Sequence, residues 1–184
     1  MSSTNVFILI NLAGGILVLG SYFVGLVYYS DSREKLWGGL VGIWRTIFCI
    51  SMILATFGYL LFFYYMSFEA GLEGLNHRFD MIYHSPSILC ALFLISSSMW
   101  MPFTVAYLNG KGRLCWFVGV WSLWVSALSL LLLALSLGFH QRENQQTIWL
   151  LGTIGVSYVA FHCTVLDAII WTNRFTKKQC TEVM

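Results

Sequence analysis

The chain has 184 residues, of which 58% are hydrophobic and only 10% are charged, whereas an average soluble domain has roughly 25% charged residues. This composition excludes an ordinary soluble protein. The 17% of aromatic residues also excludes a disordered or low-complexity chain, because so much apolar surface must be buried. A net charge of +2, with ten basic residues scattered along the chain, excludes a nucleic-acid-binding surface. The main partner that the composition indicates is a lipid bilayer.

Five segments are apolar over the roughly 20 residues that a helix needs to cross a hydrocarbon core about 30 Å thick. They cover, approximately, residues 6–29, 36–66, 85–109, 114–139 and 147–172. The first segment has no basic n-region and no small-residue cleavage site, so we interpret it as a retained span. Because long unbroken apolar runs are typical of helices rather than of barrel strands, we predict an all-α bundle of five transmembrane helices. It is expected to form a single membrane domain over residues 1–184.

The basic residues of the connecting segments are distributed unequally between the two sides of the membrane. Alternating the sides gives seven basic residues against two: Arg33, Lys35, Lys111, Arg113, Arg174, Lys177 and Lys178 against Arg78 and Arg142. The positive-inside rule then predicts an N-terminus that is outside or lumenal and a cytoplasmic tail, residues 173–184. Cys180 in this tail follows two lysines, so S-palmitoylation is one interpretation and an unmodified thiol is the other. The sequence does not indicate which membrane the chain occupies.

Two charged residues lie inside the expected spans, Arg45 in the second and Asp167 in the fifth. A lone charge at this depth costs on the order of 3 kcal/mol, so we predict that the two side chains form an ion pair between these helices. The pair would be either a structural clamp or part of a gate or of a proton or ion relay; alternatively, the Arg45 side chain extends to the membrane interface. His162, near the middle of the fifth span, could join such a relay or contact a ligand. Alternatively, it hydrogen-bonds a serine at comparable depth, and the candidates are Ser96, Ser97, Ser98 and Ser157.

The third span contains a serine run followed by a proline. Pro102 removes one backbone donor and frees one carbonyl group, so we expect a kink in this helix. A kinked, serine-lined helix facing His162 and several tryptophans would form an aromatic-walled cavity for a small flat or hydrophobic ligand. The residues concerned are Ser96, Ser97, Ser98, Trp100, Trp121 and Trp124. The alternative is that the serines only allow close contact between helices.

Small residues also predict where helices pack closely. Gly38 and Gly42 form a GxxxG pattern in the second span, and Gly14 and Gly15 lie in the first. Glycine lets two helix backbones approach closely in a membrane. We therefore expect these glycines to contact other helices of the bundle or a second subunit.

The segment between the second and third spans, residues 67–84, has apolar and polar residues that both recur at helical spacing. We predict an amphipathic helix on the outer membrane surface. Its polar face contains Glu69, Glu73, His77, Asp80 and His84, with His140 as a possible neighbour from the end of the fourth span. This face is either a metal or proton site or a solvated surface.

Neither a cofactor nor a catalytic motif is indicated by the sequence. The five cysteines include no CxxC pair, so no zinc site or disulfide framework is predicted. A haem between two helices would need a second histidine at the depth of His162, and the other three lie at or beyond the outer boundary of the spans.

Three classes of function remain open. The leading interpretation is a non-catalytic membrane protein that acts as an oligomeric or accessory subunit, with itself or other membrane proteins as partners. The alternative is a small transporter, channel or hydrophobic-ligand-binding bundle with a polar site around Arg45, Asp167 and His162. The second alternative is a membrane enzyme or a metal or redox subunit that uses the outer histidines and carboxylates.

Overall fold

A computed structural model describes residues 2–29, 33–69, 86–139 and 146–175, which contain helices and no strand. Six α-helices are numbered in chain order: α1 (Ser3–Val27), α2 (Arg33–Leu36), α3 (Ile43–Tyr64), α4 (Pro86–Leu108), α5 (Arg113–Gly138) and α6 (Gln146–Phe161). Two of them continue as π-helix, α3 through Tyr65–Glu69 and α6 through His162–Trp171. Five helices are long and apolar enough to cross a membrane. The prediction of an all-helical chain with five segments of spanning length is therefore confirmed.

Helix α1 shows how local chemistry sets an element boundary. The Ser2 side chain accepts a hydrogen bond from the Asn5 backbone N–H at 3.3 Å, which satisfies a donor that the first helical turn leaves free. The helix therefore begins at Ser3, earlier than its apolar run alone predicts.

The predicted start of the second span, residue 36, is wrong. Gly38 and Gly42 have φ angles of +55° and +56°, a left-handed conformation that glycine adopts without steric cost. Residues 37–42, called here the glycine turn, therefore precede α3, which begins at Ile43. The predicted GxxxG contact on a helix is wrong for the same reason. A Cβ atom on Gly38 would instead lie 2.9 Å from the backbone of Phe175, so the glycine turn packs against the end of the fifth span.

The five long helices form a row of neighbours. Helix α4 lies between α1 and α5, and the helix that contains α6 lies between α5 and α3. The two helices at the ends of this row, α1 and α3, meet at one end of the bundle. There the Phe7 ring stacks on Phe63 with centroids 6.0 Å apart, and the Tyr59 hydroxyl donates a hydrogen bond to the Asn11 side chain.

Glycines allow close backbone contact at two helix pairs. A Cβ atom on Gly14 of α1 would lie 2.6 Å from the Leu94 side chain of α4. A Cβ atom on Gly58 of α3 would lie 2.7 Å from the carbonyl oxygen of Gly155 in α6. By contrast, a Cβ atom on Gly15 would meet none of the described residues within 4 Å. Gly14 therefore lies at a helix contact, and its neighbour Gly15 does not.

Three apolar clusters form the interior of the described bundle. The largest, at the end where α1 meets α3, includes Phe62 and Ala160, a second includes Phe48 and Leu166, and the smallest consists of Leu36, Met101 and Val105. Along their helices, His162 lies between Ala160 and Leu166, and Ser51 lies between Phe48 and Phe62, so these two buried polar residues occur between the first two clusters.

Candidate functional site

The π-helix of the fifth span brings His162 and Asp167 together. In an α-helix, residues five apart are rotated by about 140° relative to each other, whereas the i→i+5 hydrogen bonds of a π-helix stack such residues on one face. Here His162 Nε2 lies 3.5 Å from Asp167 Oδ2. π-Helical segments are rare and occur frequently at functional sites. The winding of this helix therefore creates a contact that α-helical spacing does not predict.

Two further side chains, Ser51 and Tyr158, complete what we call the polar network (Ser51, Tyr158, His162 and Asp167). The Ser51 hydroxyl of α3 lies 2.8 Å from His162 Nδ1 and 2.9 Å from the Tyr158 hydroxyl of α6. The expectation that His162 hydrogen-bonds Ser157 or one of the serines of the third span is therefore wrong, because α6 packs against α3. Ser51 belongs to a buried stripe on α3 at helical spacing: Phe48, Ser51, Ala55, Gly58 and Phe62. That spacing is the sequence signal that could have identified it.

The distances in the polar network fit one direction of hydrogen bonding when Asp167 is ionised. Tyr158 donates to Ser51, Ser51 donates to His162 Nδ1, and the remaining N–H of His162 faces the carboxylate. With one added proton the direction of the Ser51–His162 bond can reverse, since a proton on Nδ1 lets His162 donate to Ser51. The network can therefore accept a proton while Ser51 keeps both of its hydrogen-bond partners.

Serine, histidine and aspartate also form the triads of hydrolases, so the two arrangements need to be distinguished. A nucleophilic serine must reach a substrate carbonyl group. Ser51 is only 5% exposed, and its oxygen lies within hydrogen-bond distance of both Tyr158 and His162. The geometry favours hydrogen-bond relay over nucleophilic attack.

Asp167 is more accessible than its partner. Its side chain is 29% exposed, against 7% for His162. The His162 ring, by contrast, is enclosed at its Nδ1 side by Ser51 of α3.

The predicted ion pair between Arg45 and Asp167 is wrong. The Arg45 guanidinium lies 2.8 Å from Glu34 of α2 and stacks over Trp37 at 5.0 Å from the ring centroid. The physical reason is the start of α3 at Ile43, which puts Arg45 in the first helical turn instead of deep in a span.

The serine run lies in the contact between α4 and α5. Ser96 and Ser97 approach the Ser126 hydroxyl at 2.7 and 3.1 Å, and Ser98 donates to the Ile95 carbonyl group of its own helix. Ser126 was not identified from the sequence. Ser96 and Ser97 therefore serve the contact between helices, and all three serines lie outside the polar network.

The predicted aromatic cavity does not form as expected. Trp121 is 67% exposed, so it does not line an interior site, and Trp124 is 36% exposed. Trp100 instead contacts Trp171 and Tyr22 edge-to-face, with ring centroids 5.4 and 5.8 Å apart. Helix α4 continues through Pro102.

Most of the predicted outer polar face lies outside the described residues. This holds for Glu73, His77, Asp80, His84, His140 and also for Cys180 of the tail. Glu69 is the last residue of the π-helix that extends α3. Within the described ranges, no three histidine, cysteine, aspartate or glutamate side chains are grouped so that they could hold a metal ion.

Comparisons of the chain with protein-family models, with curated proteins and with solved structures give no match. Function is therefore inferred from the geometry of the polar network.

Proposed function

We propose that the chain is a small multi-pass transport protein that binds a proton at Asp167 and His162. The observation that supports this most directly is a carboxylate 3.5 Å from a buried histidine, in a helix long and apolar enough to cross a membrane. Ionisable side chains at such depth are costly, and they are typical of proton and ion pathways. The neighbour of Asp167 in the described chain is a histidine 3.5 Å away, a side chain that can both donate and accept a proton.

The charge of the pair explains why a proton is a suitable ligand. With His162 neutral and Asp167 ionised, the pair has one net negative charge, and one added proton makes it neutral. An uncompensated charge in a region of low dielectric is expensive, so proton binding removes a large electrostatic cost. Ser51 and Tyr158 extend the hydrogen-bonded path from His162 along the interface of α3 and α6.

The proposed orientation places the N-terminus outside or in a lumen and the end of the fifth span in the cytoplasm. It follows from the seven basic residues on one side and the two on the other. In this orientation Arg45 and Arg174 lie at the cytoplasmic ends of their helices. Asp167 then lies on the cytoplasmic side of His162.

The test is infrared difference spectroscopy of the purified protein between alkaline and acidic pH. We expect the protonated-carboxyl absorption of the wild-type protein to contain one component that is missing in Asp167→Asn, because this substitution keeps the shape of the side chain and removes its proton site. Glu34→Gln is the matched control, since it removes another carboxylate that lies outside the polar network. The control should retain the band.

A second substitution separates a role in proton binding from a structural role. His162→Gln removes the ion pair partner of Asp167 and is expected to move the midpoint of the infrared titration. A band of equal size in wild type and Asp167→Asn would contradict the proposal. So would an identical titration of wild type and His162→Gln.

The second candidate is the oligomeric or accessory subunit, and one observation on α1 favours it. Only 17% of the most apolar window of α1 is buried, the smallest share of the five spanning helices. A Cβ atom on Gly20 in α1 would meet none of the described residues within 4 Å. Among the described residues nothing covers α1 at Gly20, as expected for an interface with another membrane helix.

A further inference from the structure

The π-helix of the fifth span is held at its first and at its last residue by buried hydrogen bonds. At its start, His162 Nδ1 lies 2.8 Å from the Ser51 hydroxyl of α3. At its end, the Nε1–H of Trp171 donates a hydrogen bond to the Leu36 carbonyl oxygen of α2 at 2.9 Å. Both partners of the π-helix belong to one continuous stretch of chain, which runs from α2 through the glycine turn into α3.

Backbone contacts on either side of the π-helix hold the same two stretches of chain together. Before the π-helix, a Cβ atom on Gly58 of α3 would lie 2.7 Å from the Gly155 carbonyl oxygen of α6. After the π-helix, a Cβ atom on Gly38 of the glycine turn would lie 2.9 Å from the Cα atom of Phe175. The position of the fifth span along α3 and the glycine turn is therefore fixed both before and after its π-helical segment.

Contacts of this kind explain how a long π-helix persists. π-Helices are rare and occur mostly as single turns inside α-helices, whereas the segment His162–Trp171 has ten residues. A π-helix has more residues per turn than an α-helix and advances less per residue, so the same segment would be longer as an α-helix, about 13.5 Å from its first residue to its last. Contacts that fix both ends of the segment therefore also fix its winding.

We propose that Trp171 is a positioning residue for the proton site: its hydrogen bond to Leu36 keeps the segment π-helical and so keeps Asp167 beside His162. The inference rests on the proposed function, because the pair that Trp171 positions is the pair that binds the proton. The indole N–H of Trp171 donates to a backbone carbonyl group, so Trp171 acts on Asp167 through the winding of the helix. Without this bond the segment returns to α-helical winding, in which residues five apart lie about 140° apart around the helix axis.

The test is solid-state NMR of the full chain in lipid bilayers, with ¹⁵N in the histidine and ¹³C in the aspartate side chains. The quantity measured is the dipolar coupling between His162 Nε2 and Asp167 Cγ, which His162→Gln and Asp167→Asn assign by its disappearance. This coupling decreases with the cube of the distance, so we expect Trp171→Phe to reduce it at least about threefold when α-helical winding separates the two side chains. Trp149→Phe is the matched control, because the Nε1–H of Trp149 donates to the Leu137 carbonyl oxygen at 3.1 Å, away from the π-helix. This variant loses a bond of the same kind and should keep the wild-type coupling.

A second pair of variants tests the same contact without changing Trp171. Gly38→Ala and Gly42→Ala each place a Cβ atom at nearly the same φ angle, +55° and +56°, so both introduce the same backbone strain. Of the two, only a Cβ atom on Gly38 would meet another of the described residues within 4 Å, and this residue is Phe175. We therefore expect Gly38→Ala to move the glycine turn away from the fifth span and to reduce the coupling, and Gly42→Ala to retain it.

The infrared titration separates this inference from the proposed function. If Trp171→Phe reduces the coupling but the Asp167 component does not titrate in the wild type, proton binding is wrong and the positioning role stands. If Asp167 titrates and Trp171→Phe keeps the full coupling, the positioning role is wrong and proton binding stands.

The midpoint of the infrared titration gives a second readout of the positioning role. Trp171→Phe should move the midpoint of Asp167 toward that of His162→Gln. In a His162→Gln background it should cause no further shift, because the pair that it positions is already absent. An equal shift in both backgrounds would overturn the positioning role.

Discussion

Arg45 makes its contacts at a helix end, and this limits what its ion pair contributes to stability. Its side chain is 36% exposed and that of its partner Glu34 is 79% exposed. Exposed pairs typically contribute about 0.2–1 kcal/mol, because water screens the charges and both side chains lose conformational freedom. We expect a double-mutant cycle of Arg45→Gln and Glu34→Gln, measured by denaturant unfolding in detergent, to give a coupling energy in this range.

The control for this prediction is a second cycle that combines Arg45→Gln with Asp167→Asn. Because the structure pairs Asp167 with His162, the coupling energy of this second cycle should be close to zero. A larger coupling of Arg45 with Asp167 than with Glu34 would contradict the arrangement described above.

At the scale of residues, the sequence identifies which side chains need partners but does not identify the partners. Asp167 and His162 stand out because ionisable groups are costly in an apolar helix. Arg45 was assigned to Asp167 because Gly38 and Gly42 were interpreted as helical. Glycine adopts left-handed and right-handed backbone conformations about equally well, so a GxxxG pattern alone does not distinguish a helix contact from a turn.

At the scale of elements, the contact between α3 and the fifth span depends on two glycines. A Cβ atom on Gly58 would lie 2.7 Å from the Gly155 carbonyl oxygen, and neither backbone can move without separating the helices. We expect Gly58→Ala to reduce the free energy of unfolding by about 1–3 kcal/mol, the usual cost of overpacking. Loss of circular dichroism on denaturation in detergent is the measurement.

Gly15→Ala is the matched control, since its Cβ atom would meet none of the described residues within 4 Å. Alanine is more favourable than glycine inside a helix by up to roughly 1 kcal/mol, so this variant should be as stable as the wild type or more stable. If Gly58→Ala and Gly15→Ala had the same stability, close packing of α3 against α6 would be wrong.

The sequence predicts where the helices begin and end better than it predicts which faces of the helices pack together. Four of the five helices of spanning length begin and end within three residues of the apolar runs that predict them. The spacing of apolar residues does not predict the π-helix at His162–Trp171, because it gives no signal that distinguishes a π-helix from an α-helix. The sequence also does not predict the contact of His162 with Ser51. These helices are apolar on nearly all faces, so no polar stripe shows which face points outward and which helices are neighbours.

At the scale of the whole molecule, the order of the helices assembles the polar network from residues far apart in sequence. The chain places α1 beside α4 and α3 beside the fifth span, and Ser51 meets His162 across 111 positions. Aromatic contacts join α1 to α3 at one end of the bundle.

The α1 face around Gly20, which the described residues leave uncovered, distinguishes a transport protein that acts as one chain from a subunit of an assembly. If one chain contains the whole site, this face contacts only lipid, and Gly20→Leu should change neither the oligomeric state of the protein in native mass spectrometry nor its carboxyl titration. A Cβ atom there would meet none of the described residues within 4 Å, so folding of the single chain should tolerate the substitution. A wild-type oligomer that Gly20→Leu converts to monomers would instead favour the subunit role, because small residues allow close contact between membrane helices. The same result, with the carboxyl titration retained by the monomer, would assign assembly to α1 and proton binding to the polar network within one chain.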